Sequence, residues 1–164
     1  MLVSCLGSSW VSSCLFLTLQ LCAVPVVVGV DAELDESSVV DVAECEDRIV
    51  SQSRYSLSAE SRGLIQRRVD ELDEVLRDLG LQTTLLVIEH ANSLAVYINC
   101  MTLAAVMGLR HQWCTGRLRV TIESLFTLLS GATRTVRVKR LTWPLTDYQR
   151  CFQFFTSVQG KQTI

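Results

Sequence analysis

A chain of 164 residues has the size of one domain and can bury a core without disulfides or metals. Its hydrophobic fraction of 49% and mean hydropathy of +0.30 argue against an isolated polar domain and favour apolar surface kept for partners or for a membrane. The net charge of −2 conceals a gradient, since residues 1–47 contain acidic but no basic side chains and residues 107–164 are strongly basic.

The cysteines and glycines argue against a cofactor. The 7 cysteines are irregularly spaced without a CxxC pair, and only His90 and His111 remain to complete a metal site. This spacing favours reduced thiols in an intracellular protein over zinc binding. The glycines form no Walker or dinucleotide-binding motif, and no serine or cysteine stands in a nucleophile signature. We therefore expect no metal, no cofactor and no enzymatic activity.

The apolar run near the N-terminus has two interpretations. It reads as two core strands, Cys14–Leu19 and Val24–Val30, joined through a bend at Pro25. It also reads as a signal peptide cleaved after Ala32, although no positive charge precedes it as a secretory signal normally requires. The strand interpretation is preferred because of that missing charge.

Four further segments are predicted before residue 90. Ser38–Cys45 is rich in valine and is expected to be a short strand, followed by a polar loop at Ser51–Ser58. Ala59–Leu79 has one apolar stripe and one charged face, as in an amphipathic surface helix. Thr83–Ile88 is almost continuously β-prone, which is typical of a central strand covered on both faces.

The second half is predicted to contain a buried helix, a hairpin and a closing helix. Asn92–Met107 is apolar around almost its whole circumference, which predicts a helix inside the protein. The hydrophobic period then changes to two, predicting hairpin strands at Arg117–Leu129 and Val136–Lys139. A helix from Thr146 to Gly160 follows. The fold class is α+β or layered α/β, as one domain over residues 1–164 with a mixed sheet.

One pair of residues suggests acid–base chemistry. Glu89 and His90 end the predicted central strand, where open α/β sheets place functional groups. A carboxylate beside an imidazole is able to move a proton, although the same residues are ordinary in a loop that leads into a helix.

A basic strand near Trp143 is the candidate contact with RNA. Charge together with a nearby aromatic ring is the pattern that grips single-stranded nucleic acid. The candidate RNA-binding residues are Arg134, Arg137, Lys139 and Arg140. Arg140 falls on the opposite side of the strand from Lys139 unless a β-bulge intervenes. A solvated strand edge that resists aggregation is the alternative.

Residues 62–108 carry a resemblance to a known family. Arg62-Gly-Leu-Ile-Gln opens the long helix, and Thr84-Leu-Leu-Val-Ile forms the strand. Ser93-Leu-Ala-Val-Tyr-Ile-Asn99-Cys-Met-Thr-Leu-Ala-Ala then places an Asn before small residues. In this order the segments resemble the RNase PH family, and within it the non-catalytic ring subunits of the RNA exosome. The elements from Val120 to Gly160 are similar in order and length to the end of such subunits.

The resemblance implies an RNase PH-like fold without catalysis. Active members have an Asp-Gly-Gly-Thr-Arg-like phosphate-binding turn where this chain has Glu89-His90-Ala91-Asn92-Ser93, and acidic metal-binding residues are missing from Leu109 to Val120. The implied role is structural, in an exosome-like ring for RNA processing, RNA degradation and rRNA processing. The implied partners are other RNase PH-like subunits in a hetero-oligomeric ring, together with RNA, and the implied location is nucleus, nucleolus and cytoplasm. A small secreted or membrane-associated protein is the alternative if residues 1–32 are a signal peptide.

Overall fold

The computed structural model describes residues 26–57, 66–80 and 82–160, which form four strands and five helices. The strands are β1 (Val26–Leu34), β2 (Thr83–His90), β3 (Leu94–Cys100) and β4 (Val138–Thr142). The helices are α1 (Val42–Leu57), α2 (Gln66–Arg77), α3 (Leu103–Cys114), α4 (Arg117–Ser130) and α5 (Leu145–Gly160). The predicted strand Cys14–Leu19 lies outside the described residues, as do positions 59–65 of the predicted long helix.

The strands form one sheet in the order β2-β3-β1-β4. β1 pairs with β3 from Val26 opposite Cys100 to Ala32 opposite Leu94, whereas β4 pairs only with Asp31–Leu34 of β1. All three pairings are antiparallel. The α+β class is therefore confirmed, and the expected mixed sheet is wrong.

The helices cover one face of the sheet. Because side chains alternate along a strand, Val28, Val30, Ala32 and Leu34 of β1 share one face, and all four are buried. They join a single hydrophobic core with the buried side chains of the helices. Phe126 of α4 is among the largest fully buried side chains of this core. The sheet and the helices thus form two layers.

The region between β1 and α2 departs from expectation. The predicted strand Ser38–Cys45 is instead a turn followed by the start of α1, where Asp41 Oδ1 accepts a hydrogen bond from the Glu44 N–H at 3.1 Å. Val40 is fully exposed, so its β-branched side chain gains nothing from a sheet. The predicted loop Ser51–Ser58 is the second half of α1 as far as Leu57.

The predicted buried helix Asn92–Met107 is also wrong. Residues 91–93 make the turn of a β2–β3 hairpin, β3 follows, and α3 begins only at Leu103. β3 has a strand on both sides, so its nearly continuous apolar sequence is that of an inner strand. β2, expected to be central, lies at the edge of the sheet that the described strands form.

The predicted hairpin is replaced by a helix and one strand. Arg117–Leu129 lies in α4, and the return strand begins at Val138 and pairs with β1. The buried residues of α4 follow helical spacing: Leu118, Thr121, Ile122, Leu125, Phe126, Leu129 and Ser130. The predicted strand Val24–Val30 is confirmed from Val26 onward, positions 24 and 25 lying outside the described residues. The strand at Thr83–Ile88, the described part of the long helix and the closing helix are also confirmed.

Candidate functional site

The face of the sheet opposite the helices is not covered by any element in the described part of the chain. The strand registers place on it Val27, Gly29, Asp31, Glu33, Thr84, Val87, Glu89, Ala95, Tyr97, Asn99, Arg140 and Thr142. Val27 is 50% exposed, a high value for an apolar side chain in a strand. We call these residues the open face.

One half of the open face is apolar. The ring of Tyr97 lies over Gly29, because a Cβ atom added to Gly29 would stand 3.2 Å from Tyr97 Cε1. Leu86 is the extra residue of a bulge in β2 opposite Tyr97 and is 43% exposed. Asn99 Oδ1 is buried without a hydrogen-bond partner among the described residues. This half presents apolar side chains and a polar atom that is able to accept a further bond.

The other half of the open face is charged. Glu33 accepts hydrogen bonds from Lys139 Nζ at 3.1 Å and from Arg140 Nη2 at 2.8 Å. These bonds hold the pKa of Glu33 below its ordinary value. Asp31 and Glu89 flank Ala95 in one cross-strand row and form no ion pair with any described residue.

A cavity of about 290 Å³ lies at the charged end of the sheet. It is lined by Asp31, Glu33, Ala91, Asn92, Ser93, Arg140 and Thr142. The lining contains carboxylates, a guanidinium and neutral hydrogen-bonding groups, but no nucleophile oriented by a base. Such a lining is able to form hydrogen bonds and ion pairs with a polar or charged group.

The structure brings together only part of the predicted basic strand. A register shift makes Lys139 the extra residue of a bulge, so the bulge considered from the sequence is present and Lys139 and Arg140 both reach Glu33. Arg134 lies elsewhere, in a groove of about 590 Å³ beside the start of α1. Trp143 is only 2% exposed, so its ring is not accessible for stacking on a base, contrary to expectation.

Glu89 and His90 do not form an acid–base pair. As successive residues of β2 they point to opposite faces of the sheet. His90 Nε2 lies 3.0 Å from Asp47 Oδ1 of α1, a partner that the sequence did not reveal because it is distant along the chain. The contact between His90 and Asp47 therefore links the β2–β3 hairpin to α1.

A cluster around Arg110 was also missed from the sequence. Its guanidinium carbon lies 4.3 Å from the ring centre of Trp113, 5.3 Å from that of Trp143 and 5.2 Å from that of Tyr148. Arg110 Nη1 donates to the Trp143 carbonyl at 3.3 Å. A cation among three rings joins α3 to the start of α5.

The described cysteines lie away from the open face. Burial raises the pKa of the Cys100 thiol to about 12, and burial likewise raises the pKa of Cys45 and Cys151. Cys114 is exposed. Among the residues that the structure describes, no three His, Cys, Asp or Glu side chains gather as a metal site, and no helix has the length and apolarity to cross a membrane.

Comparison of the chain with protein-family models, with curated proteins and with solved structures finds no match.

Proposed function

We propose that this chain is a non-catalytic subunit of a hetero-oligomeric assembly and that the open face binds its partner. The observation that carries the proposal is the exposure of Val27 and Leu86 beside Tyr97 on a sheet face without a covering layer in the described residues. Antiparallel sheets often leave one face to solvent, but that face is normally polar. Contiguous exposed apolar side chains with a polar rim are typical of a protein-binding surface.

The finer form of the proposal is a ring subunit of an RNase PH-like, exosome-type complex that processes and degrades RNA. Its support is the resemblance carried by residues 62–108. That support is reduced by the two places where the element order differs, β3 in place of the buried helix and α4 in place of a hairpin strand. Other RNase PH-like subunits are the partners proposed at the open face.

RNA contact is proposed at the basic side chains before and within β4. Arg134 and Arg137 are exposed and form no ion pair with described residues, which leaves their charge for phosphate. Replacing Arg137 and Lys139 by Ala is expected to weaken binding of single-stranded RNA and to flatten its dependence on salt, by roughly 0.7 in log–log slope for each phosphate that is no longer neutralised. The matched control replaces Arg117 and Arg119 of α4 by Ala. Equal slopes of RNA affinity against salt for the two variants would contradict the proposed RNA contact.

The alternative of a secreted protein matured after Ala32 conflicts with the sheet. Cleavage there would remove Val26–Ala32, which includes the buried Val28 and Val30 and every β1 residue that pairs with β3. The sheet would lose most of β1, which lies between β3 and β4. The proposal therefore keeps residues 26–34 in the folded protein.

Photo-crosslinking in cells tests the proposed interface. Benzoylphenylalanine in place of Val87, on the open face, should give crosslinks to a defined partner, whereas the same residue in place of Glu71 on α2 should not. RNase PH-like proteins among the products would support the finer form. Equal crosslinking from both positions would refute the open face as the interface.

A further inference from the structure

β1 has an unpaired edge along half of its length. On the side facing β4, only Asp31–Leu34 of β1 is paired, since β4 stops at Thr142 and Pro144 precedes α5. No strand among the described residues pairs with Val26–Val30 on that side. The resulting gap in the sheet is about 17 Å long at the usual rise per residue. Alternate N–H and C=O groups of β1 therefore point into it.

This edge lacks the protection found at the other edges of the sheet. β4 carries charged side chains and a bulge at Lys139, and β2 carries a bulge at Leu86. Such features prevent further strands from adding. The sequence Val-Val-Val-Gly-Val along the gap has no charge and no proline, and the pairing of β1 with β3 shows no bulge there. The gap is thus the place in the described sheet most suited to accept a strand.

From this geometry we infer that the gap beside Val26–Val30 accepts a β-strand from the partner protein, with a lysine or arginine opposite Gly29, on the same face of the sheet as Asp31. A strand that continues the line of β4 runs antiparallel to β1, so its first residues lie next to Asp31. The Asp31 carboxylate is exposed and forms no ion pair with described residues. The inference rests on the proposed binding role and specifies its chemistry.

Charge complementarity favours a strand from a partner protein over a strand from residues 1–25 of this chain as the occupant of the gap. Residues 1–25 contain no lysine or arginine and so bring no basic side chain to Asp31. A partner strand with a basic residue opposite Gly29 satisfies both the main-chain groups of β1 and this carboxylate. Its apolar side chains on the open face would meet Val27, which is half exposed.

Hydrogen–deuterium exchange of the full-length chain tests the inference directly. The probe is a short synthetic peptide of valine and threonine with lysine as its second residue, and the matched probe has glutamate at that position. We expect the amides of Val26–Val30 that point into the gap to gain protection with the lysine peptide and less with the glutamate peptide. Asp31→Asn should weaken binding of the lysine peptide about two- to fivefold, as for loss of an exposed ion pair. Glu71→Gln should leave that binding unchanged.

The possible outcomes separate the occupants of the gap. If those amides of Val26–Val30 that point into the gap are already protected in the isolated monomer, the gap is filled by this chain itself and the inference is overturned. Protection that rises with protein concentration would assign it to a second copy, with the same consequence. No protection by either peptide would also overturn strand addition, whereas the crosslinks at position 87 would still decide the open face. Loss of peptide binding in Val27→Arg but not in the control Val120→Arg would distinguish blocked binding from a general effect of added charge.

Discussion

Arg110 offers the sharpest test of the packing between α3 and α5. Replacing it by Ala removes a guanidinium from three aromatic rings and leaves the Trp143 carbonyl without its donor. Each ring contributes about 0.5 kcal/mol or more, and the charged hydrogen bond about 1.5 kcal/mol. The expected loss of unfolding free energy is about 3 kcal/mol, which lowers the melting temperature by roughly 6–12 °C for a chain of this size.

Urea unfolding followed by tryptophan fluorescence measures this loss, since two of the rings are tryptophans in contact with the guanidinium. Arg110→Lys keeps the charge but loses the planar stacking group, so about half of the loss is expected. Arg119→Ala, an exposed arginine on α4, is the control and should change stability by less than about 0.5 kcal/mol. A loss of about 1.5 kcal/mol or less for Arg110→Ala, which the hydrogen bond alone would account for, would refute the contribution of the rings.

Three further predictions concern the core, the charged half of the open face and the thiols. Phe126→Ala should cost about 3–5 kcal/mol in urea unfolding because it opens a cavity in a fully buried site, whereas Val120→Ala, at a residue 61% exposed, should cost less than about 0.5 kcal/mol; equal losses would contradict the helical face of α4. Glu33→Gln should lower the urea midpoint at neutral pH and not in strong acid, because a lowered pKa gives stability that is complete above the ordinary value of 4.5 and disappears as pH falls through the folded-state pKa; a difference that persists in acid would argue against the ion pairs. Cys114 should be alkylated in the native protein and Cys100 only after unfolding, as mapped by mass spectrometry, and fast native labelling of Cys100 would contradict its burial.

Periodicity predicted some elements because one structure alone fits their pattern. The closing helix and β2 carry such patterns. The sequence of Arg117–Ser130 fits both a strand and a helix. Leu118, Val120 and Ile122 alternate as in a strand, while Leu118 and Ile122 also stand one helical turn apart. Packing decided between them, because the helix buries Phe126 and leaves Val120 as the one exposed apolar side chain of α4. β3 posed the same problem, as a continuous apolar run that fits either a buried helix or a buried strand.

The open face and the gap beside β1 depend on contacts between distant parts of the chain. Glu33 meets Arg140 across 107 positions, and no local pattern fixes which strand lies next to β1 or where that pairing stops. The basic residues of β4 were recognisable from composition, but their common partner was not. The end of β4 at Thr142 became apparent only from the strand register. The next residue, Trp143, is also buried, so a change in burial does not mark the end of the strand.

The pairing of β1 with late parts of the chain also determines when the sheet is able to form. During synthesis β1 emerges before both of its neighbours, and its contact with β4 closes a loop of more than a hundred residues. Pairings of such high sequence separation form slowly. A strand whose first five residues are four valines and one glycine therefore stays exposed until most of the chain has been made, which makes it a natural target for chaperones on the ribosome.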